Sequence, residues 1–242
     1  GQGAAIAWDG RDSAGRAVAD GRYTVQLDVS DPAGNRVVRS STVTLIRAAG
    51  FLRWSPTAFY PTDGDKYAAA ARLTFRLTRT ATTTLRIVDA AGAPVRTAWS
   101  SRSRGAGTVA WTWDGKTGTG ARVGPGRYLA VLTAKTAAGT VTLTRTVVVD
   151  AFLVTASATT LVAGETLTLT IRSVEPISGL PSVSFAQAGL APTAVGVVAL
   201  GDGRYQASVT VAAGGAGPAT ITVSAKDAGG KTNTTTIVVT VQ

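Results

Sequence analysis

The sequence predicts an all-β protein built from antiparallel β-sandwich modules in tandem, and three observations carry that prediction. A passage reading WDGRDSAGRAVADGRY at Trp8–Tyr23 returns as WDGKTGTGARVGPGRY at Trp113–Tyr128, at a constant offset of 105 positions and without an insertion. Apolar and polar residues alternate through the segments between turns, and no window holds a sustained helical apolar stripe. Abundant Thr and Val together with 28 Gly favour strands and turns over helices. A gapless period of about 100 residues exceeds solenoid repeats and is ordinary for a sandwich.

Each part of the repeat has a physical reason. A strand ends in Trp8 or Trp113, whose large ring suits a sandwich core. The Asp-Gly that follows makes a tight turn, Asp bonding its own backbone and Gly supplying a positive φ. A polar loop and a second turn, ADGRY or GPGRY, lead into Tyr23 or Tyr128, which opens an alternating strand. Tyr23, Val25, Leu27 and Val29 share one face of it, the pattern of a half-buried antiparallel strand. Trp8, Tyr23, Trp111, Trp113 and Tyr128 are therefore the expected structural core. DPAGN and TAAGT turn the chain into STVTLI and LTRTVVV.

Upstream of Trp113 lies a front half that the first copy lacks. LTFRLTR places Leu73, Phe75 and Leu77 inward, TTLRIVD does so with Leu85 and Ile87, DAAGAPV is a hairpin turn, and TVAWTW puts Val109, Trp111 and Trp113 on one face. The expected units are 1–50, the C-terminal half of a module; 51–150, a complete module; and 151–242, a diverged module of alternating strands without Trp. Short joints at Ala48–Arg53 and Val149–Phe152 leave little slack, so an extended rod is expected. The half module would expose Ile6, Trp8, Tyr23, Val25 and Leu27 and an open sheet edge. The expected partner is the remainder of its own precursor or a neighbouring chain adding a strand.

Composition narrows the chemistry. With no His and no Cys, imidazole bases, thiol nucleophiles and the usual zinc ligand sets are excluded, and Glu165 and Glu175 are the only glutamates. The net charge of +10 is uneven: +1 over 1–50, +9 over 51–150 and 0 over 151–242. The apolar runs are too short to span a membrane. A chain that begins at Gly and has no Met is expected to be a processed or excised piece.

WDG, a short polar loop with Gly, V-x-x-G-x-Y, an alternating strand and D-x-A-G-N together resemble the bacterial immunoglobulin-like module of the flagellar hook-capping protein (FlgD-like). The resemblance covers Trp8 to about Ile46 and the whole of 51–150, where SPTAFYPTDGD looks like the leading segment of such modules. Residues 151–242 look like a generic bacterial Ig-like or fibronectin-type module. Modules of this kind sit in hook-cap scaffolds, surface proteins and the tails of exported hydrolases, so the resemblance implies an extracellular or cell-surface location.

Few residues are candidates for chemistry. Asp63-Gly64-Asp65 supplies hard oxygens of the kind Ca²⁺ takes, yet a calcium loop of the EF-hand kind needs more acids, and Lys66 and Tyr67 come next. A solvated turn is expected there and no metal ligand is assigned; Asp63 and Asp65 are the candidates if an ion is held. Asp9 and Asp114 are explained by the turn. Alternation sends Arg72, Arg76 and Arg86 to solvent, where they could meet a polyanion such as a cell-wall polymer. Exposed aromatics for base stacking are missing nearby, so no nucleic acid is expected. Trp54, Tyr60 and Trp99 are read as packing between modules rather than as sugar platforms. No catalytic residue and no cofactor is expected. The expected function is a non-enzymatic structural or spacer region of an exported bacterial protein, with an envelope glycan or polyanion module, or the tail of an exported hydrolase, as alternatives.

Overall fold

The computed structural model describes residues 7–242, and Ile6 lies outside the described residues. All the regular structure among the described residues is β. Two strands, β1 (Gly21–Ser30) and β2 (Arg36–Leu45), form an antiparallel hairpin that is a sheet of its own. The next eight are β3 (Ala49–Ser55), β4 (Ala58–Phe59), β5 (Ala71–Leu77), β6 (Ala81–Asp89), β7 (Pro94–Arg104), β8 (Gly107–Trp113), β9 (Gly126–Thr136) and β10 (Gly139–Val149). They make a sheet β3-β5-β8 facing a sheet β4-β10-β9-β6-β7. The last nine are β11 (Phe152–Ala156), β12 (Thr160–Leu161), β13 (Thr166–Ser173), β14 (Ser182–Ala186), β15 (Thr193–Val195), β16 (Val197–Gly201), β17 (Arg204–Thr210), β18 (Gly217–Lys226) and β19 (Thr232–Val241). Their sheets are β11-β13-β17-β16 and β12-β19-β18-β14-β15.

Period-two alternation produces both sandwiches. Ala71, Leu73, Phe75 and Leu77 on β5 are buried against Leu85, Ile87, Ala130 and Leu132 from the facing sheet, with Arg72 and Arg76 outward. Leu167, Leu169 and Ile171 on β13 meet Ile221, Val223 and Phe185 in a second, separate core. In both sandwiches the leading segment crosses from one sheet to the other. After β3, β4 pairs in parallel with β10; after β11, β12 pairs in parallel with β19. Sharing one segment between two sheets fastens the layers together at their edge.

Trp113 is fully buried, with Phe59 and Tyr128 edge-on to it at ring-centroid distances of 5.4 Å and 5.3 Å. Trp111 is only half-buried at the end of that core, where the Arg96 guanidinium lies over its ring. Trp8 departs furthest from a core position. It packs edge-on against Tyr23 at 4.9 Å yet remains 40% exposed, and Val25, Leu27 and Val29 are 39%, 45% and 51% exposed. The second copy shows the cause: β9, the counterpart of β1, is covered by β5 and β8 and pairs at its other edge with β6, and among the described residues the first copy has no such strands.

Four hairpin turns share one local structure. Asp12, Asp31, Asp89 and Asp227 each donate the backbone N–H to the carbonyl four residues on and accept the N–H of that same residue on Oδ1, while the Gly three residues on takes φ between 74° and 87°. A short acid and a left-handed Gly at fixed spacing are what this turn requires.

Candidate functional site

The repeated passage is the first place to look for chemistry, and the polar groups its two copies share bond to the backbone of the passage itself. Trp8 Nε1–H donates to the Arg11 carbonyl at 2.8 Å, and Trp113 Nε1–H to the Lys116 carbonyl at 2.9 Å. Asp9 Oδ1 accepts the Arg11 N–H, and Asp114 Oδ1 accepts the Lys116 N–H. Val18 and Val123 donate to the carbonyls of Gly10 and Gly115. The Tyr23 and Tyr128 hydroxyls each donate to the carbonyl four residues back, Ala19 and Gly124. Each of these four bonds of the first copy recurs 105 positions on in the second. The pKa of Asp114 lies below its ordinary value; burial opposes ionisation and is outweighed by backbone hydrogen bonds from the same turn and by Arg96. Tyr128 and Val123 border a shallow surface hollow with Asp89, Val95 and Thr117, and the Tyr128 hydroxyl is committed to the Gly124 carbonyl.

The three arginines that alternation sends to solvent lie on two different surfaces. Arg72 and Arg76 project from β5 on the outer face of the β3-β5-β8 sheet, whereas Arg86 projects from β6 on the outer face of the other sheet. Alternation identifies the outward face of a strand but not the sheet the strand joins. The neighbour that Arg72 and Arg76 do gain is Arg53, whose Nε–H donates to Thr74 Oγ1 at 3.2 Å. Trp54 is buried in its own sandwich and donates to the Arg145 carbonyl at 3.1 Å. Trp99 is half-buried, donating to Thr83 Oγ1 and covered by the Arg104 guanidinium. Tyr60 does the bridging: it follows β4 in the first sandwich and packs into the core of the second.

Beside Tyr60 the two sandwiches bring their acids together. Asp63 and Asp65, in the loop after β4, meet Glu175, in the loop after β13, and Asp227, at the β18–β19 turn. One carboxylate oxygen from each lies within 4.8 Å of the others. Glu175 is 4% exposed and Asp227 1%, and among the described residues none of the four forms an ion pair. Asn233 on β19 sends Nδ2 into the group, at 2.9 Å from Glu175 Oε2, 2.9 Å from Asp227 Oδ2 and 3.2 Å from Asp63 Oδ2. Asp65 Oδ2, Glu175 Oε1 and Asn233 Oδ1 are buried without a hydrogen-bond partner. Burial, then the charges of Asp63, Asp65 and Asp227, push the Glu175 carboxyl up to about 8. Asp227 lies below its ordinary value, because backbone hydrogen bonds from Lys231 and Gly229 outweigh the effect of burial.

Of these residues the sequence pointed only to Asp63 and Asp65. Glu175, Asp227 and Asn233 are distant in the chain and become neighbours only when the sandwiches meet, so no local pattern marks them. Asp227 alone carried a signal, as the acid of a turn that recurs elsewhere.

Comparison with known proteins bears on the first sandwich most directly. Residues 60–138 match the FlgD Ig-like domain. That stretch runs from Tyr60 through Asp63, Asp65 and the Trp113–Tyr128 passage into the tip of the β9–β10 hairpin. The fold class is all-β, with an Ig-like sandwich in the matched region. Among solved structures, the titin Ig tandem domains A164–A165 are similar at 13% identity and a TM-score of 0.27, over 76% of this chain and 90% of that one. No curated protein matches. Among the described residues no helix is long and apolar enough to cross a membrane.

Proposed function

We propose that the chain is a non-catalytic structural and spacer region of a larger exported bacterial cell-surface or secreted protein. In this reading 1–50, 51–150 and 151–242 are successive modules, the first a half, set end to end as a rod that holds other parts at a distance. One observation carries it: the two copies of the Trp-to-Tyr passage make the same hydrogen bonds, and those bonds account for the Trp, Asp and Tyr side chains that a catalytic reading would need free. The FlgD Ig-like match supports a structural module in the middle of the chain. A panel of hydrolase substrates offered to the purified chain is expected to give no turnover. Turnover abolished by Asp114→Asn would overturn the reading.

The β1–β2 hairpin implies a partner for the same reason that it departs from the second copy. Val25, Leu27 and Val29 stand exposed where β9 is covered, and among the described residues the edge of β1 has no neighbour where β9 has β6. A complementary β segment, from the remainder of the same polypeptide or from a neighbouring chain, would complete the layer. Sedimentation velocity over a concentration series is expected to show reversible self-association that weakens in Leu27→Lys. A strictly monomeric chain with an ordered hairpin would contradict completion by a neighbouring chain.

A further inference from the structure

We propose that Asp63, Asp65, Glu175, Asp227 and Asn233 form a calcium site that locks the second sandwich onto the first. It deepens the spacer reading, on which only its mechanical consequence rests; ion binding is measured independently of it.

Three observations converge on a cation. First, four carboxylates from two sandwiches sit within 4.8 Å of one another, and among the described residues none of them is ion-paired with a Lys or Arg side chain. Like charges this close in a partly desolvated site repel strongly, and either a proton or a metal ion must relieve them. Second, Asn233, 3% exposed, offers two amide hydrogens to three carboxylates while its Oδ1 has no partner. Turning the amide over would direct that oxygen into the cluster, which a cation uses and a set of acceptors cannot. Glu175 Oε1, on a residue 4% exposed, is a second buried oxygen in need of a partner.

The third observation is a departure in sequence that has a structural effect. Four turns share the same Asp and the same left-handed Gly. The residue two after the Asp is Ala14, Ala33 and Ala91 in three of them, and Gly229 in the fourth. A Cβ at Gly229 would lie 2.5 Å from Asp65 Oδ2 and 3.2 Å from Asp227 Oδ1. The φ of Gly229 is not in the left-handed region, so the turn itself does not require Gly there. The missing methyl is what lets Asp65 of one sandwich reach the Asp227 turn of the other.

The donor set selects the ion. Every ligand atom is oxygen, which suits a hard cation, and five side chains with carboxylates free to bind through one or two oxygens reach the six to eight contacts that Ca²⁺ takes. Mg²⁺ demands a tighter octahedron and keeps its water, and Zn²⁺ prefers N and S ligands. Because the ligands come from both sandwiches, an ion bound here couples the joint to the fold of each.

Isothermal calorimetry on the full chain, with CaCl2 and then MgCl2 after EDTA treatment, tests the assignment. The expected result is one Ca²⁺ per chain with a Kd of ~10⁻⁴–10⁻³ M and weaker Mg²⁺ binding. Tenfold excess over Kd should raise the melting temperature by ~5 °C. Gly229→Ala and Asp65→Asn should each weaken Ca²⁺ binding at least ~10-fold, a loss of ~1.4 kcal/mol. In EDTA, Asp65→Asn should melt no lower than the parent chain, since it relieves repulsion; this separates a lost ligand from a lost fold. No calcium heat at ~5 mM, equal binding of Mg²⁺, or undiminished binding by both variants would overturn the proposal.

Discussion

The clearest instance of one residue serving one purpose is Gly115. Its φ of 69° is left-handed, and a Cβ there would stand 2.3 Å from Pro61 Cγ. Gly115→Ala is therefore expected to lower stability by more than ~1 kcal/mol, read by urea denaturation, because it combines backbone strain with a clash against a stiff ring. In the first copy Gly10 shares the positive φ but faces the flexible Leu45 side chain at 3.3 Å, so Gly10→Ala should cost less. Equal losses at the two positions would show that the Pro61 contact is irrelevant. The residue scale was also where the sequence was most legible. Trp113, Asp114, Gly115 and Tyr128 interact within one short passage, so repetition and turn chemistry were enough to assign them. The exposure of Trp8 could not be read the same way, because burial depends on strands outside the passage.

At the scale of elements, the β1–β2 hairpin is held to the first sandwich by packing and by an ion cluster. Ile46, just after β2, packs against Gly139 at the start of β10, where a Cβ would lie 2.6 Å from its Cδ1. The Asp20 side chain, 1% exposed, pairs with Arg47 Nε at 3.2 Å and with an Arg79 guanidinium nitrogen at 3.5 Å, and Arg79 lies just beyond β5. Its pKa lies below the ordinary 3.8: burial opposes ionisation, but hydrogen bonds from Arg47 and the charges of Arg79 and Arg47 outweigh it. A carboxyl lowered by folding contributes stability that is complete above the unfolded value and is lost as pH falls through the lower folded value. Acidification below 3.8 should thus loosen the hairpin, seen as faster amide exchange in β1 and β2. Asp20→Asn should exchange faster at neutral pH and lose this acid dependence, and an unchanged acid response in that variant would contradict the role of the cluster. Repetition does not mark this cluster, since the position of Asp20 in the second copy is Pro125.

Across the whole molecule, alternation and the repeat made the all-β class and the inward faces of strands such as β5 and β9 legible, because strand faces follow from a period of two. What escaped the sequence lies where sheets and sandwiches meet. Arg86 is parted from Arg72 and Arg76 by the sheet its strand joins, and Asp63 is joined to Glu175 by contact between sandwiches. Tertiary proximity of this kind has no local signature. The spacer reading concerns how the parts are arranged, so it is tested most directly by small-angle X-ray scattering of the full chain at low concentration. Three strand lengths of ~35 Å placed end to end give ~100 Å and a radius of gyration of ~30 Å. A compact globule of this length would measure ~18 Å, and that value would contradict the account.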